Sequence, residues 1–314
     1  MNTDHLELVK SIIIKETKQE PIEIKRMVIG ICNEVYSVII PSKKVVVRMN
    51  TEAKQLNGTE RNIKLLSSLG IKVPEVIASD YSKSDCPMAY QVLSFIDGQD
   101  LGQVIESMTD EQLIDLAKEI ANIFNKLATI PTNGRFGWVG ADESGLVDSW
   151  AEIMKQDKIE ERNNQTGIVG NELVAKEKEL FEKYKPYFNS VKSTLYYDDI
   201  SSKNVMIHDG KFAGLIDLDT VIYGDPLEAV GAIKTCWYGT HHGEVYTNAV
   251  ERELGLNEEQ KNIVTVYALF NRILWLSEKG VKFNENTSTD IDEEAVKSDR
   301  ESIDKLFLEL GYTI

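Results

Sequence analysis

The sequence predicts an α+β protein in two unequal lobes. The first is a small N-terminal lobe with a five-stranded antiparallel sheet and one helix. The second is larger, mainly helical and C-terminal. Three observations predict this. Residues 22–49 hold β-branched runs separated by short polar turns. Residues beyond 101 change to helical period. Two short apolar runs, at 205–207 and 212–216, interrupt that helical half with an Asp-Gly turn between them.

Taken in order, residues 4–15 place Leu6, Val9, Ile13 and Ile14 at helical spacing, and the helix closes before Pro21. Runs at 27–29, 35–40 and 45–49 read as three strands, with turns at 30–33 and 41–44. Residues 58–69 read as a helix ended by Gly70. Two further strands are expected near 75–79 and 89–95, and Asp97-Gly98 breaks the pattern. Thr109, with Gln112 three residues on, is a capping box that opens a helix to about Leu127. Residues 153–184 read as a charged helical excursion that turns at 163–167. Residues 195–223 revert to strands and loops, and 226–314 are helical. The expected divide is 1–97 and 98–314, with a hinge at about 93–98.

The chain has 314 residues, and its 35 Lys+Arg against 51 Asp+Glu leave a net charge of −16. That charge argues against a nucleic-acid binder, which needs a basic face, and suits a cationic partner better. Its three cysteines, Cys32, Cys86 and Cys236, are too scattered for a disulfide framework or a zinc site. No apolar stretch approaches the about 18 residues of a spanning helix, and the N-terminus does not read as a signal peptide. The expectation is a cytoplasmic protein, a monomer or weak homodimer, with no nucleic-acid or membrane partner.

The densest chemical signal is YDDISSKNVMIHDGKFAGLIDLDTVIYGDP, residues 197–226 with Tyr197 leading the Asp pair. Asp209-Gly210 between two apolar runs is a hairpin turn. The hairpin holds Asn204 at its start and Asp217 at its end, on one side. An amide oxygen and a carboxylate converging there are hard donors that suit Mg²⁺. Asp199, on the preceding loop, is placed to reach a substrate hydroxyl. Asp219 is open to two readings, a second metal contact or a loop polar group.

The segment resembles the catalytic core of the aminoglycoside phosphotransferase and choline kinase family, relatives of the protein kinases. The family pattern is His-Gly-Asp, four residues, Asn, then a hairpin ending in Ile-Asp. This chain has Tyr197-Asp198-Asp199, four residues, Asn204, then Leu215-Ile216-Asp217, and later Gly224-Asp225-Pro226. The resemblance implies a two-lobed protein-kinase-like fold. It implies transfer of the γ-phosphoryl group of ATP, or of GTP, to a hydroxyl, with Asp199 as the catalytic base and Asn204 and Asp217 holding Mg²⁺. In the first lobe, Gly30 and Asn33 belong to the turn over the phosphates, and Arg48 stands where the third strand usually carries Lys. Glu60, with Glu52 the other nearby acid, is the expected helix carboxylate that orients Arg48. Backbone groups of Ser94, Phe95 and Ile96 are expected to meet the nucleotide base.

Two positions depart from the pattern. Tyr197 replaces the family His, with a packing role expected under the catalytic loop. Asp198 replaces Gly, which calls for a backbone conformation that Asp tolerates. The implied acceptor is a small cationic molecule such as an aminoglycoside, with Asp148, Glu152, Glu228 and acids at 285–304 as its partners. The alternatives are a neutral acceptor (macrolide or sugar), choline or an amino alcohol, or a nucleotide-binding scaffold without transfer.

Overall fold

The computed structural model of the chain describes residues 3–27, 33–283 and 288–312. Helix α1 (Thr3–Thr17) precedes β1 (Glu23–Met27), β2 (Glu34–Ile40) and β3 (Lys43–Asn50). Helix α2 (Asn57–Ser68) then crosses to β4 (Val76–Asp80) and β5 (Ala89–Ser94). These five strands form one antiparallel sheet in the order β1-β2-β3-β5-β4. Alternation along β3 decides what faces where. Val45, Val47 and Met49 join Val9, Ile12 and Ile13 of α1 in the first core, while Val46 and Arg48 take the opposite face.

The first strand begins before the expected 27–29, of which Met27 is the one described residue. Its Glu23 and Lys25 are exposed and its Arg26 half-buried, as an edge strand permits. Residues 28–32, including most of the expected turn, are outside the described residues.

Beyond β5 come β6 (Gln99–Asp100), α3 (Leu101–Val104), α4 (Asp110–Leu127), β7 (Gly137–Val139), α5 (Trp150–Met154), α6 (Asp157–Thr166) and α7 (Asn171–Ser190). Then follow β8 (Thr194–Tyr196), β9 (Val205–His208), β10 (Lys211–Leu215), β11 (Val221–Gly224), α8 (Leu227–Cys236), α9 (His241–Glu253), α10 (Glu258–Glu278) and α11 (Glu293–Glu309). The expected capping box opens α4: Gln112 N–H donates to Thr109 Oγ1 at 3.2 Å, and Thr109 N–H to Gln112 Oε1 at 2.9 Å. The excursion turns later than expected, because Asn163–Thr166 stay helical and the left-handed residue is Gly167. Two small sheets, β10-β9-β6 and β7-β11-β8, sit among the helices. β6 and β7 are too short to show a period of their own and are strands only by pairing with β9 and β11.

The second core gathers the apolar faces of α4, α7, α8, α9, α10 and α11 around the buried Trp150, Phe188, Tyr267 and Phe270. It also takes Ile63 and Leu66 of α2 and Leu93 of β5. Helix α2 therefore packs its apolar side with the helical lobe. No helix among the described residues is long and apolar enough to cross a membrane.

Candidate active site

The β9–β10 hairpin builds the site. Asp209 and Gly210 both have positive φ, 49° and 70°, as a two-residue turn between right-twisted strands requires. The ladder ends where the Ile216 N–H donates to the Asn204 carbonyl at 3.0 Å. That bond pins the start of the hairpin to its end. Asn204 is buried, and its amide N–H donates to the Asp199 carbonyl at 3.2 Å, closing the loop between them. Its amide oxygen is the end left to face a ligand.

Asp217 follows directly, with φ 60°. A non-glycine residue there costs of order 1–3 kcal/mol and persists only where neighbours over-determine it. Tyr197 is one such neighbour. Its buried hydroxyl lies 2.9 Å from the Ile216 carbonyl oxygen and 3.0 Å from that of Asp217. The ring packs under the loop as expected, and its polar tip also holds the backbone of Asp217. Asp198 is not in the left-handed region, so the expected special backbone at that position is corrected: the positive φ lies at Asp217. Asp198 instead accepts a hydrogen bond from Trp138 Nε1 at 2.7 Å.

Asp199 is exposed at its side chain, with Ser201 Oγ 3.3 Å away. Lost solvation and the Asp198 charge push its carboxyl above the ordinary range, and Asn204, Ser201 and the Lys203 charge oppose the rise.

Arg48 reaches this end of the hairpin from β3. It is 6% exposed and pairs with three carboxylate oxygens: Nη1 with Asp219 Oδ1 at 2.7 Å, Nη2 with Asp219 Oδ2 at 2.7 Å, and Nη2 with Asp217 Oδ1 at 2.8 Å. Burial works against its charge, but Asp219 and Asp217 outweigh burial and raise its pKa further. The expected partner Glu60 does not reach it. The Glu60 carboxylate is taken by Lys64 at 3.0 Å and Ser79 at 3.1 Å. The residue of α2 that faces Arg48 is Thr59, with its Oγ1 3.3 Å from Nη1. Glu60, the next residue, is turned about 100° around the helix. Glu52 sits before the short turn at Ala53–Gln55. Asn33 donates to Asp219 Oδ2 at 2.9 Å, whereas Gly30 lies outside the described residues.

The three hinge residues continue from β5. The Ser94 N–H donates to the Glu75 carbonyl at 2.9 Å, and Ser94 Oγ accepts from Glu75 N–H at 2.8 Å. The Lys44 ammonium lies 3.8 Å from the centre of the Phe95 ring. Ile96 borders an open cleft of about 640 Å³ shared with His208 and Phe212 of the hairpin.

The donor set fits a hard divalent cation. Arg48 engages Asp217 Oδ1, while Oδ2 accepts no hydrogen bond among the described residues, and the Asn204 amide oxygen is the neighbouring donor. Among the described residues no group of three His, Cys, Asp or Glu has metal-site geometry, so two protein ligands are what the hairpin offers.

Of the acids named for the acceptor, Glu228 is the one tied electrostatically to Asp198. It accepts from Tyr196 OH and Asn271 Nδ2, each at 3.2 Å, and burial with the Asp198 charge pushes its carboxyl up to about 8. Asp148 points to solvent beside Arg135, 3.4 Å away, and Glu152 is exposed on α5. Residues 284–287 lie outside the described residues, and the acids of α11 are largely exposed. Asp225 sits deeper, between Tyr187 OH at 2.6 Å and Tyr267 OH at 2.8 Å, with Trp150 Nε1 donating to Tyr267 OH at 2.8 Å. Thr59, Asn62 and Trp138 were not singled out from sequence, and Gly58 inside a helical pattern was the signal of a close approach there.

A strand-borne cation above a loop-and-hairpin pair of acids, in a five-stranded lobe set on a helical one, is the arrangement of a small-molecule kinase. The chain belongs to the phosphotransferase enzyme family APH, whose model matches residues 23–259. Its fold is similar to that of a thermostable mutant of aminoglycoside phosphotransferase APH(4)-Ia solved with AMP-PNP and hygromycin B. That match has a TM-score of 0.71 and 16% identity over 98% of this chain and 99% of that one. It is similar to wild-type aminoglycoside 2'-phosphotransferase-IIIa in its GDP complex, with a TM-score of 0.69 and 16% identity over 98% and 99% of the chains. It is also similar to a fructosamine-3-kinase, so described without experimental proof, from Haemophilus somnus 129PT. There the TM-score is 0.63 and the identity 13% over 96% and 97% of the chains. At the sequence level no curated protein matches this chain.

Proposed function

We propose that the protein transfers the γ-phosphoryl group of ATP, or of GTP, to a hydroxyl of a small cationic acceptor of the aminoglycoside kind. The observation that carries this reading is the hairpin end, where Asn204 and Asp217 adjoin Asp199 and the buried Arg48. Asp217 and Asn204 would hold Mg²⁺, which when bound neutralises charge on the phosphates. Asp199 accepts or orients the acceptor hydroxyl, and its raised pKa brings it nearer the proton it handles. Arg48 supplies a fixed positive charge on the phosphate side. Catalysis by these groups is chiefly positioning and preorganised electrostatics. The hinge residues Ser94, Phe95 and Ile96 are the base side of the nucleotide site, and the lobe divide falls near residue 97.

Asp198 and Asp199 support the cationic acceptor, because two adjacent acids sit at the start of the catalytic loop; Glu228, raised to about 8, is mostly neutral at pH 7 and adds a hydrogen-bonding group rather than a charge. Trp138 supports a ring-bearing one. Its indole is 49% exposed and is oriented by its bond to Asp198, which leaves a flat face beside the catalytic loop.

The test is a phosphate-transfer screen of ATP and GTP against aminoglycosides, macrolides, choline and amino alcohols. Turnover with a cationic acceptor that weakens as salt rises supports the reading. Turnover confined to macrolides or sugars replaces the acceptor class. Nucleotide binding with no transfer across the panel identifies a scaffold instead.

A further inference from the structure

We infer that Asp219 is the positioning carboxylate of Arg48, in the place that the sequence assigned to Glu60 of α2. The inference rests on the phosphotransferase reading above and deepens it. The geometry of Asp219 is complete. Oδ1 receives Arg48 Nη1 at 2.7 Å and the Thr59 hydroxyl; Oδ2 receives Arg48 Nη2 at 2.7 Å and Asn33 Nδ2 at 2.9 Å. A carboxylate has about four lone-pair sites, so all of them are filled. This removes the reading of Asp219 as a second metal contact: no lone pair faces outward for an ion. The two acids of the Asp-x-Asp pair divide the work. Asp219 grips the guanidinium by both ends, and Asp217 meets it with one oxygen and keeps the other.

The approach of α2 explains why the carboxylate comes from this side. Asn62 Nδ2 donates to the carbonyl oxygens of Leu218 at 3.0 Å and Asp219 at 3.2 Å. A Cβ on Gly58 would collide with the Asp219 carbonyl oxygen and sit 2.8 Å from Gly140 Cα. With the helix backbone this close, the position facing Arg48 has room for a hydroxyl, and Thr59 supplies it. A helix carboxylate would put a second acid against Asp219.

Two consequences follow for the reaction. A two-pronged carboxylate fixes the plane of a guanidinium, so Asp219 sets the direction in which Arg48 presents its charge. It also holds Arg48 back from Asp217. Without it, the fork of Arg48 turns onto Asp217 and competes for the oxygen that a cation needs. Asn33 extends this control to the end of the turn over the phosphates, because its Oδ1 accepts from Asn50 Nδ2 at 2.9 Å while its Nδ2 is spent on Asp219.

The test uses the full-length protein and the variants Asp219→Asn, Asp219→Glu and Asp219→Asn with Thr59→Glu. Four quantities are measured: ATP affinity by calorimetry without acceptor, the KM values for ATP and acceptor, the Mg²⁺ activation curve, and Tm. For Asp219→Asn the expected result is about a tenfold or greater rise in ATP Kd and KM. Its half-activating Mg²⁺ concentration also rises, while the acceptor KM holds. Asp219→Glu, or Thr59→Glu added to Asp219→Asn, recovers part of the loss. ATP affinity and Mg²⁺ dependence within twofold of the parent, with only Tm lowered, overturn the inference and leave Asp219 a structural acid. If Asp219→Asn does not fold, Asn33→Ala and Thr59→Val each remove one donor to Asp219 and are expected to raise the ATP KM; an unchanged KM in both overturns the inference. A parent protein that binds neither ATP nor GTP overturns the phosphotransferase reading itself, whereas binding in the parent that Asp219→Asn leaves intact overturns only this inference.

Discussion

The Tyr197 hydroxyl lies within 3.0 Å of the backbone carbonyl oxygens of both Ile216 and Asp217, so the loop carrying Asp199 and the hairpin end carrying Asp217 share one buried donor. The Tyr197→Phe change keeps the ring and leaves those carbonyls without that donor. Leaving a buried polar group unpaired costs about 1–3 kcal/mol, which a urea melt reads directly. The same variant is expected to need more Mg²⁺ for half-maximal rate, because Asp217 loses a restraint on its left-handed backbone. Parent-like stability and metal response would show that the hydroxyl holds nothing.

Asp199→Asn removes the group that accepts the acceptor's proton. Turnover is expected to fall by about 10²–10⁴, with ATP affinity nearly intact. The parent's acidic limb is expected above the ordinary Asp value of about 3.9, because the Asp199 carboxyl is raised. Activity requires the deprotonated form, so it falls as pH falls through that raised pKa. A near-normal rate in Asp199→Asn refutes its role.

Asp217→Ala deletes the carboxylate that carries the free oxygen at the hairpin end. The difference in ATP affinity measured with Mg²⁺ and with EDTA is expected to vanish in this variant and to be large in the parent. If the difference survives, the hairpin is not the metal site.

Glu60→Gln tests the helix assignment from the other direction. Its carboxylate serves Lys64 and Ser79 on the surface of the first lobe, an exposed ion pair of the kind that contributes about 0–1 kcal/mol. Turnover and ATP KM are expected within about twofold of the parent. A tenfold rise in ATP KM would return the role to the helix.

Glu177 is 3% exposed in α7, and burial pushes its carboxyl from 4.5 up to about 7, with Asp157 adding to the rise and Lys178 opposing it. The folded state therefore holds a proton that the unfolded chain releases. Stability is highest below about 4.5 as far as this group is concerned, and it is lost as pH rises through 7. Glu177→Gln keeps the neutral form at every pH. It is expected to raise stability at pH 8 by up to about 3 kcal/mol and to change little at pH 4.5. Equal effects at both pH values, in urea melts, refute this account.

Strands β2 to β5 of the first sheet, the capping box at Thr109 and the hairpin at Asp209-Gly210 were legible because each depends on residues close together in sequence. That Asp199, Asn204 and Asp217 come together at one end of the hairpin was legible for the same reason, all three lying within one 19-residue span. The partner of Arg48 was not. Asp219 lies 171 residues away from it, and Glu60 was the nearer acid on the expected helix. Which acid reaches a cation depends on how deeply the helix docks, a matter of tertiary packing that no local period records. The short strands β6 and β7 escaped for a related reason, since their pairing partners lie far along the chain.

The seating of α2 bears on how this enzyme can be rebuilt. By chain order the helix belongs to the first lobe, yet Ile63 and Leu66 fill the second core, and Gly58 rests against backbone from Gly140 and Asp219. The lobes are therefore not exchangeable cassettes. A chimera joined at residue 97 would import a helix shaped for a different floor, and any side chain larger than hydrogen at position 58 would lift it. A viable exchange must treat Gly58, Asn62, Gly140 and Asp219 as one inherited set, carried together across the join.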